Sequence, residues 1–312
     1  SIELKRKIYN WFTGHLNGSV IDYMENYIEE IIFDDFKEDE FMEEKIIFLD
    51  NKIREYKKEE NSWSNNYGLG ELLLRRINIM EEMEVSQNII EDYCKENLKI
   101  NKVREYYIDI CIDREDYDMA IKLLREGKGK EKDWPGIVLD YSLNLKNLYK
   151  KTGQDKLYKE ELWLLVLNYK AGDLELYKEL KSIYTDKEWM EKREIVFTKL
   201  SPYSGVDKLY VLEGLYDRLI KIVIDSNGLY MLIEYEEILK DIYPKELLDK
   251  YENTVKSMAT NTSGRGYYRE MVSILRRMKK YPKGKEKVSE IASEWKSKYR
   301  NRPAMMDELS KL

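Results

Sequence analysis

The sequence predicts an all-α chain, an irregular, solenoid-like array of α–α hairpins. Three observations carry this reading. Apolar residues recur at i, i+3, i+4 and i+7 along most of the chain, the spacing of one helical face. No segment sustains the apolar–polar alternation of a half-buried strand. Pro (5) and Gly (15) are few among 312 residues, which disfavours a β-rich or disordered chain. A charged share of 37% beside a hydrophobic share of 43% fits thin helices, each with one buried stripe and a broad solvated face.

In chain order, residues 2–12 (Ile2, Leu4, Ile8, Trp11, Phe12) form a short amphipathic helix ending near Gly14. Asn17-Gly18-Ser19 is a turn, with Ser19 the N-cap of a helix carrying Val20, Tyr23, Met24, Tyr27, Ile28, Ile31 and Ile32. A third helix runs through Phe41, Ile46, Phe48, Leu49, Ile53 and Tyr56, and the polar stretch 59–66 is a linker. Leu72 to Met83 and Ser86 to Asn97 follow, the second with Ser86 as N-cap, then a helix capped by Asn101. The clearest unit is Arg114 to Gly127. Asp116 stands at its N-cap, and Tyr117, Ala120, Ile121 and Leu124 fall on one face. Small Ala120 admits a neighbouring helix, and Gly127 supplies the stop. After the polar connector 127–136 come helices at 137–151, 155–169, 173–184 and 186–199. Beyond a break at 201–205 lie 206–213, 215–225, 229–242, 244–260, 266–280, 284–299 and a last helix after Pro303.

Pairing these helices gives repeats of roughly 35–45 residues, the range of helical-hairpin solenoids. The anchors Tyr117, Leu157, Leu174, Tyr216 and Tyr268 are unevenly spaced, so the array is tetratricopeptide-like without being a consensus tetratricopeptide domain. Composition divides the chain into an acidic N-terminal segment (1–66), hairpin repeats (67–200) and C-terminal repeats with a basic face (201–312). From Asp22 to Glu60 there are 15 acids and 6 bases; from Arg265 to Arg302, 13 bases and 4 acids. Tyr (26) far outnumbers Phe (6) and reads as packing where Leu or Phe would otherwise stand.

The residues offer little chemistry. His15 is the only histidine, which excludes sites needing two imidazoles; beside a turn it reads as a surface or capping residue. Cys94 and Cys111 sit at apolar positions and read as reduced core thiols. Gly68-Leu69-Gly70 lacks a preceding strand and the last glycine of a dinucleotide loop. Gly127-Lys128-Gly129-Lys130 lacks P-loop spacing. Asp34, Asp35, Glu38, Asp39 and Glu40 lack the EF-hand spacing and read as a solvated acidic face. No catalytic residue, cofactor or metal ligand is therefore expected. No signal peptide and no apolar run approaching 18 residues is present, so no membrane partner and a cytoplasmic location are expected. A chain opening on Ser1 is expected of a fragment or processed product.

The best lead is the basic stretch. Arg265, Arg269, Arg276, Arg277, Lys279, Lys280 and Lys283 lie among Tyr267, Tyr268 and Tyr281, a pattern suited to phosphate or an acidic partner. Two readings stay open for it: a solvated face balancing the acidic N-terminal part, and a phosphate-contacting surface.

The C-terminal third also resembles a known family. Tyr216-Asp217-Arg218-Leu219-Ile220, Tyr235-Glu236-Glu237-Ile238-Leu239-Lys240-Asp241-Ile242-Tyr243-Pro244, Tyr268-Arg269-Glu270-Met271 and Arg302-Pro303-Ala304-Met305-Met306-Asp307-Glu308-Leu309 look like the helical C-terminal region of bacterial SWIM zinc-finger proteins. Tyr117-Asp118-Met119-Ala120-Ile121 fits the same pattern, which spans residues 70–310. The family's zinc module needs a CxC pair followed by CxH. Cys94 and Cys111 stand alone with His15 ahead of both, so no zinc ligand carries over and the module would lie upstream. The resemblance implies a helical arm without an assigned reaction. The expected function is a non-enzymatic scaffold for a protein or peptide partner; the alternative is an accessory nucleic-acid-binding domain using the basic C-terminal helices.

Overall fold

The structure, a computed structural model, describes residues 2–16, 22–58, 63–201 and 204–312, and of residues 22–26 and 63–64 the backbone alone. Among the described residues every regular element is helical. The chain divides into two compact units, Ser1–Leu162 and Trp163–Leu312.

The first unit holds α1 (Ile2–Gly14), α2 (Asp22–Asp35), α3 (Asp39–Tyr56), α4 (Trp63–Glu82), α5 (Gln87–Glu96), α6 (Asn101–Asp113), α7 (Tyr117–Lys130) and α8 (Pro135–Lys151); the division falls within α9 (Asp155–Leu164). Helices pack mainly on their neighbours, α3 on α4, α6 on α7 and α7 on α8, while α4 reaches past α5 to α6. That order is consistent with an irregular helical-hairpin array, in which no hairpin can bury its apolar face alone. Leu49, Leu73, Ile77, Val103, Ala120 and Leu124 are shut off from solvent, as are the free thiols of Cys94 and Cys111. Burial pushes the Cys94 thiol up to about 12. The Lys45 ammonium is fully buried, where it donates to the Phe33 carbonyl at 3.2 Å and so caps the end of α2.

Several local expectations change. The N-cap at Ser19 and the linker residues 59–62 lie outside the described residues. The rest of that linker is the first turn of α4, where the Asn65 side-chain amide donates to the Tyr56 carbonyl at 3.0 Å. Asn101 is the first residue inside α6, not its N-cap; its amide is spent on Glu105. Ser86 holds the N-cap position of α5 without a side-chain capping bond, whereas Asp116 caps α7 by accepting from the Met119 N–H at 3.2 Å.

Gly127 is not a stop, since α7 continues to Lys130. A Cβ at Gly127 would come within 2.4 Å of the Tyr141 ring and 2.9 Å of the Arg104 guanidinium. The glycine is there because α8 crosses α7 at that point, and Arg104 lies between them at 1% exposure.

The second unit continues with a π-helical segment (Leu165–Tyr169), α10 (Leu174–Ser182), α11 (Asp186–Lys199), α12 (Val206–Glu213), α13 (Tyr216–Asp225), α14 (Tyr230–Leu239), α15 (Pro244–Asn261), α16 (Arg265–Met278), α17 (Gly284–Lys298) and α18 (Pro303–Leu309). The π segment interrupts what the periodicity reads as one helix over 155–169; the Lys170 N–H reaches back five residues to the Leu165 carbonyl. Asp173 caps α10, and Thr185 with Glu188 forms a capping box on α11. A continuous core runs from Leu219 on α13 through Tyr251 on α15 and Leu275 on α16 to Trp295 on α17 and Met305 on α18.

Near its start, this unit is tied by one carboxylate. Glu213, whose side chain is 3% exposed, accepts from Lys181 Nζ (2.9 Å), Trp189 Nε1 (3.0 Å) and Arg193 Nη1 (3.0 Å). Burial by itself would raise the Glu213 pKa, but the hydrogen bonds from Lys181, Trp189 and Arg193 outweigh it and hold the carboxyl below its ordinary 4.5. A lowered folded-state pKa means stability that is fully present above the ordinary value and lost as the pH falls below it through the folded-state pKa.

Two outcomes follow. Glu213→Gln costs at most about 3–5 kcal/mol, discounted because Lys181 can rehydrate, and flattens the acid limb of the second unit's unfolding profile, read by urea titration at successive pH values. Gly127→Ala lowers the urea midpoint by about 1–3 kcal/mol worth of stability, despite the roughly 1 kcal/mol that alanine gains as a helix former.

Candidate functional site

On α16, Tyr268, Met271, Val272 and Leu275 face the core, which leaves the arginines of the helix to its flanks. The short helix α18 lies against it with Met305 and Leu309 buried and its acids turned to the arginines. Arg265 Nε donates to Glu308 Oε1 at 3.0 Å, and its guanidinium also pairs with Asp307. Arg269 Nε reaches the same Glu308 oxygen at 3.4 Å, while Lys311 Nζ sits 2.9 Å from the other. Glu308 is 4% exposed, and the Lys311 hydrogen bond, ahead of the opposing effect of desolvation, holds its pKa below the ordinary value. Further along, Arg276 donates to the Lys311 carbonyl at 2.8 Å and Lys279 to the Leu312 carbonyl at 2.6 Å. Cations at carbonyls beyond a helix C-terminus satisfy acceptors that lack helical partners.

The remaining candidates lie toward a half-open cleft of about 650 Å³ lined by Glu236, Glu237, Lys240, Asp241, Arg277, Lys280 and Tyr281. Arg277 Nη1 donates to Glu236 Oε2 at 3.0 Å, and the Tyr281 hydroxyl donates to Glu236 Oε1 at 2.7 Å. Burial, then the Glu236 hydrogen bond, raises the Tyr281 pKa. Lys240 closes on Glu237 at 2.6 Å. Lys280 and Lys283 point outward, the latter at a left-handed φ of 61° ahead of α17.

Arg265, Arg269, Arg276, Arg277 and Lys279 are thus committed to acids or helix-end carbonyls within the unit, while Lys280 and Lys283 project outward. Of the interleaved tyrosines, Tyr268 and Tyr281 are buried and Tyr267 is 51% exposed. Sequence reasoning missed Asp307 and Glu308 as the counter-charges, because they stand 42 and 43 residues from Arg265. The only hint is their place on a helical stretch whose Met305 and Leu309 need a surface to cover.

Other sequence candidates resolve into structure. The acidic run after α2 faces α1, where Lys5 pairs with Glu38 and Arg6 with Glu40 and Glu44. Gly68 and Gly70 lie inside α4. Lys128 pairs with Glu161. His15 follows α1 directly, with its ring 4.2 Å from that of Trp11 and Nδ1 2.6 Å from the Trp11 carbonyl. Among the described residues no three His, Cys, Asp or Glu side chains gather as a metal-holding group, and no helix is long and apolar enough to cross a membrane. Comparison with protein-family models and with curated proteins returns no match.

The pairing on α18 has a direct consequence. Glu308→Gln leaves Arg265, Arg269 and Lys311 without their common anion and loosens α18. Hydrogen exchange at residues 303–309 accelerates severalfold at neutral pH, while the amides of α15 keep their protection.

Proposed function

We propose that this chain is a helical scaffold for a protein or peptide partner, with no reaction of its own, and that it forms an arm of a SWIM zinc-finger-like protein. The observation that carries the scaffold reading is the outward face of α1. The helix packs through Arg6, Tyr9 and Phe12: Tyr9 lies 5.2 Å from Phe36 and 4.7 Å from Phe41, and Arg6 stacks 4.4 Å over the Phe41 ring. Three more of its apolar residues, spaced i, i+4 and i+7, meet water: Leu4 is 58%, Ile8 40% and Trp11 58% exposed. A single exposed leucine is ordinary, but an aligned Leu–Ile–Trp stripe on one helix is the form a docking helix takes. Covering it recovers about 25 cal/mol per Å² of apolar surface, and tryptophan is the residue type most enriched among binding hot spots. The arm reading is supported by the residue pattern of 216–309 described above; a CxC…CxH module in the full-length product is its check.

A photoreactive phenylalanine at Ile8 tests the scaffold reading. It yields a discrete partner that, once purified, binds the whole chain. The double substitution Leu4→Lys, Trp11→Glu weakens that binding by at least about tenfold and leaves the thermal midpoint almost unchanged, because neither side chain is in the core. Binding that the double variant leaves intact would remove α1 as the docking element.

The second reading, an accessory nucleic-acid surface, draws on the outward Lys280 and Lys283. Through these two cations it predicts weak binding to duplex DNA with a shallow salt slope, on the order of −2 in log–log form. Lys280→Glu with Lys283→Glu should abolish it. No binding at low salt ends this reading.

A further inference from the structure

The first unit contains a cleft of about 530 Å³ where the start of α4, the α5–α6 turn, α6, the α7–α8 turn and α8 meet. Its lining combines two rings, three carboxylates and two lysines. Tyr67 is 51% exposed and Trp134 41%, so both present ring surface to solvent. Lys102 Nζ lies 3.9 Å from the Tyr67 ring centroid and pairs with Glu71. One edge of the cleft therefore already holds a cation between an aromatic face and a carboxylate, using the chain's own side chain.

The remaining charges are unevenly matched. Glu131 is engaged by Arg104, whose Nη1 is 3.3 Å away, and the buried Arg104 also donates to the Leu98 carbonyl (3.0 Å), the Lys99 carbonyl (3.2 Å) and the Tyr141 hydroxyl (3.2 Å). Those bonds fix the α5–α6 turn and the α7–α8 turn beneath the cleft. Asn101 orients Glu105, donating to its Oε1 at 3.0 Å while accepting from Tyr141. Glu105 on α6 and Asp140 on α8 then face the same space, and among the described residues neither forms an ion pair. Burial, against the opposing hydrogen bond from Asn101 and with a smaller push from Asp140, raises the Glu105 pKa. Lys99 is exposed at the rim and opposes a cation there, but it does not close on either acid.

We propose that this cleft binds the guanidinium of an arginine presented by an extended segment of a partner protein, with Glu105 and Asp140 accepting its N–H groups and Trp134 covering its plane. Two carboxylates carried by different helices call for a donor with several N–H edges, which the guanidinium has and a lysine ammonium supplies only as a point charge. Among the described residues no three His, Cys, Asp or Glu side chains gather here as a metal-holding group. The proposal rests on the partner-binding reading but shares no residue with the α1 stripe, so the two can fail separately.

The test uses the whole chain labelled with 5-fluorotryptophan, the Trp134 signal assigned through Trp134→Phe, and N-acetyl-arginine N-methylamide as the probe. A saturable shift confined to the Trp134 signal is expected, with a dissociation constant on the order of millimolar. The neutral citrulline analogue, nearly the same shape, should give none, and the lysine analogue should bind more weakly. Glu105→Gln with Asp140→Asn, which removes a repulsion and so leaves the fold intact by circular dichroism, should weaken arginine binding at least about tenfold. No saturable shift with the arginine probe, an equal shift with citrulline, or binding unchanged in the double variant would each overturn the proposal. Partner binding that still depends on Leu4 and Trp11 would in that case leave the scaffold reading standing.

Discussion

A charged side chain can stay between packed helices only where its neighbours saturate it, and Arg104, Glu213 and Glu308 are side chains of this kind that help fix how these helices meet. Arg104 is enclosed by two carbonyls, a hydroxyl and Glu131 in the first unit. In the second, Glu213 joins α10, α11 and α12, and Glu308 joins α16 to α18. The apolar stripes supply most of the driving force, but they tolerate sliding, whereas a carboxylate with three fixed donors does not. Such groups contribute less to net stability than to the choice of one arrangement, since apolar replacements can be equally stable while breaking one partner is costly. In a chain as heavily charged as this one, helices could otherwise pair in many registers.

That balance explains what the sequence disclosed. Helix existence was legible because a period of 3.6 is a local signal, and the Asp116 cap and the buried face of Ala120, Ile121 and Leu124 were read from it. Gly127 was misread because a glycine beyond an apolar face looks like a C-cap. Its real reason is the Tyr141 ring, fourteen positions on and visible only once α8 lies across α7. The Asn65–Asn66 stretch was misread for a related cause, since polar residues in a first turn resemble a linker until their hydrogen-bond partners are seen. On α1 the sequence grouped Ile2, Leu4, Ile8, Trp11 and Phe12 as the apolar side; of these Phe12 packs inward while the other four stay exposed, and Tyr9 and Arg6 join it because the Phe36–Phe41 pair offers them rings to pack against.

The candidate basic stretch shows the same limit in functional terms. Counting cations along α16 finds the charge but not its counter-charge, which arrives from a helix some forty residues later. Once α18 is in place, the arginines of that face are paired within the unit, and the turn ahead of α17 keeps Lys280 and Lys283 turned to solvent. Surfaces with recognisable chemistry lie instead in the first unit, where aromatic rings and carboxylates are exposed together.

The fastening of α1 also governs how the chain can be trimmed. Tyr9 and the Arg6 guanidinium form the lid on Phe36 and Phe41, and Lys5 and Arg6 balance Glu38, Glu40 and Glu44. A shortened version beginning after Phe12 would bare two phenylalanines beside an uncompensated patch of negative charge, a surface prone to self-association. Any truncation meant to stay monodisperse has to keep Lys5 and everything after it.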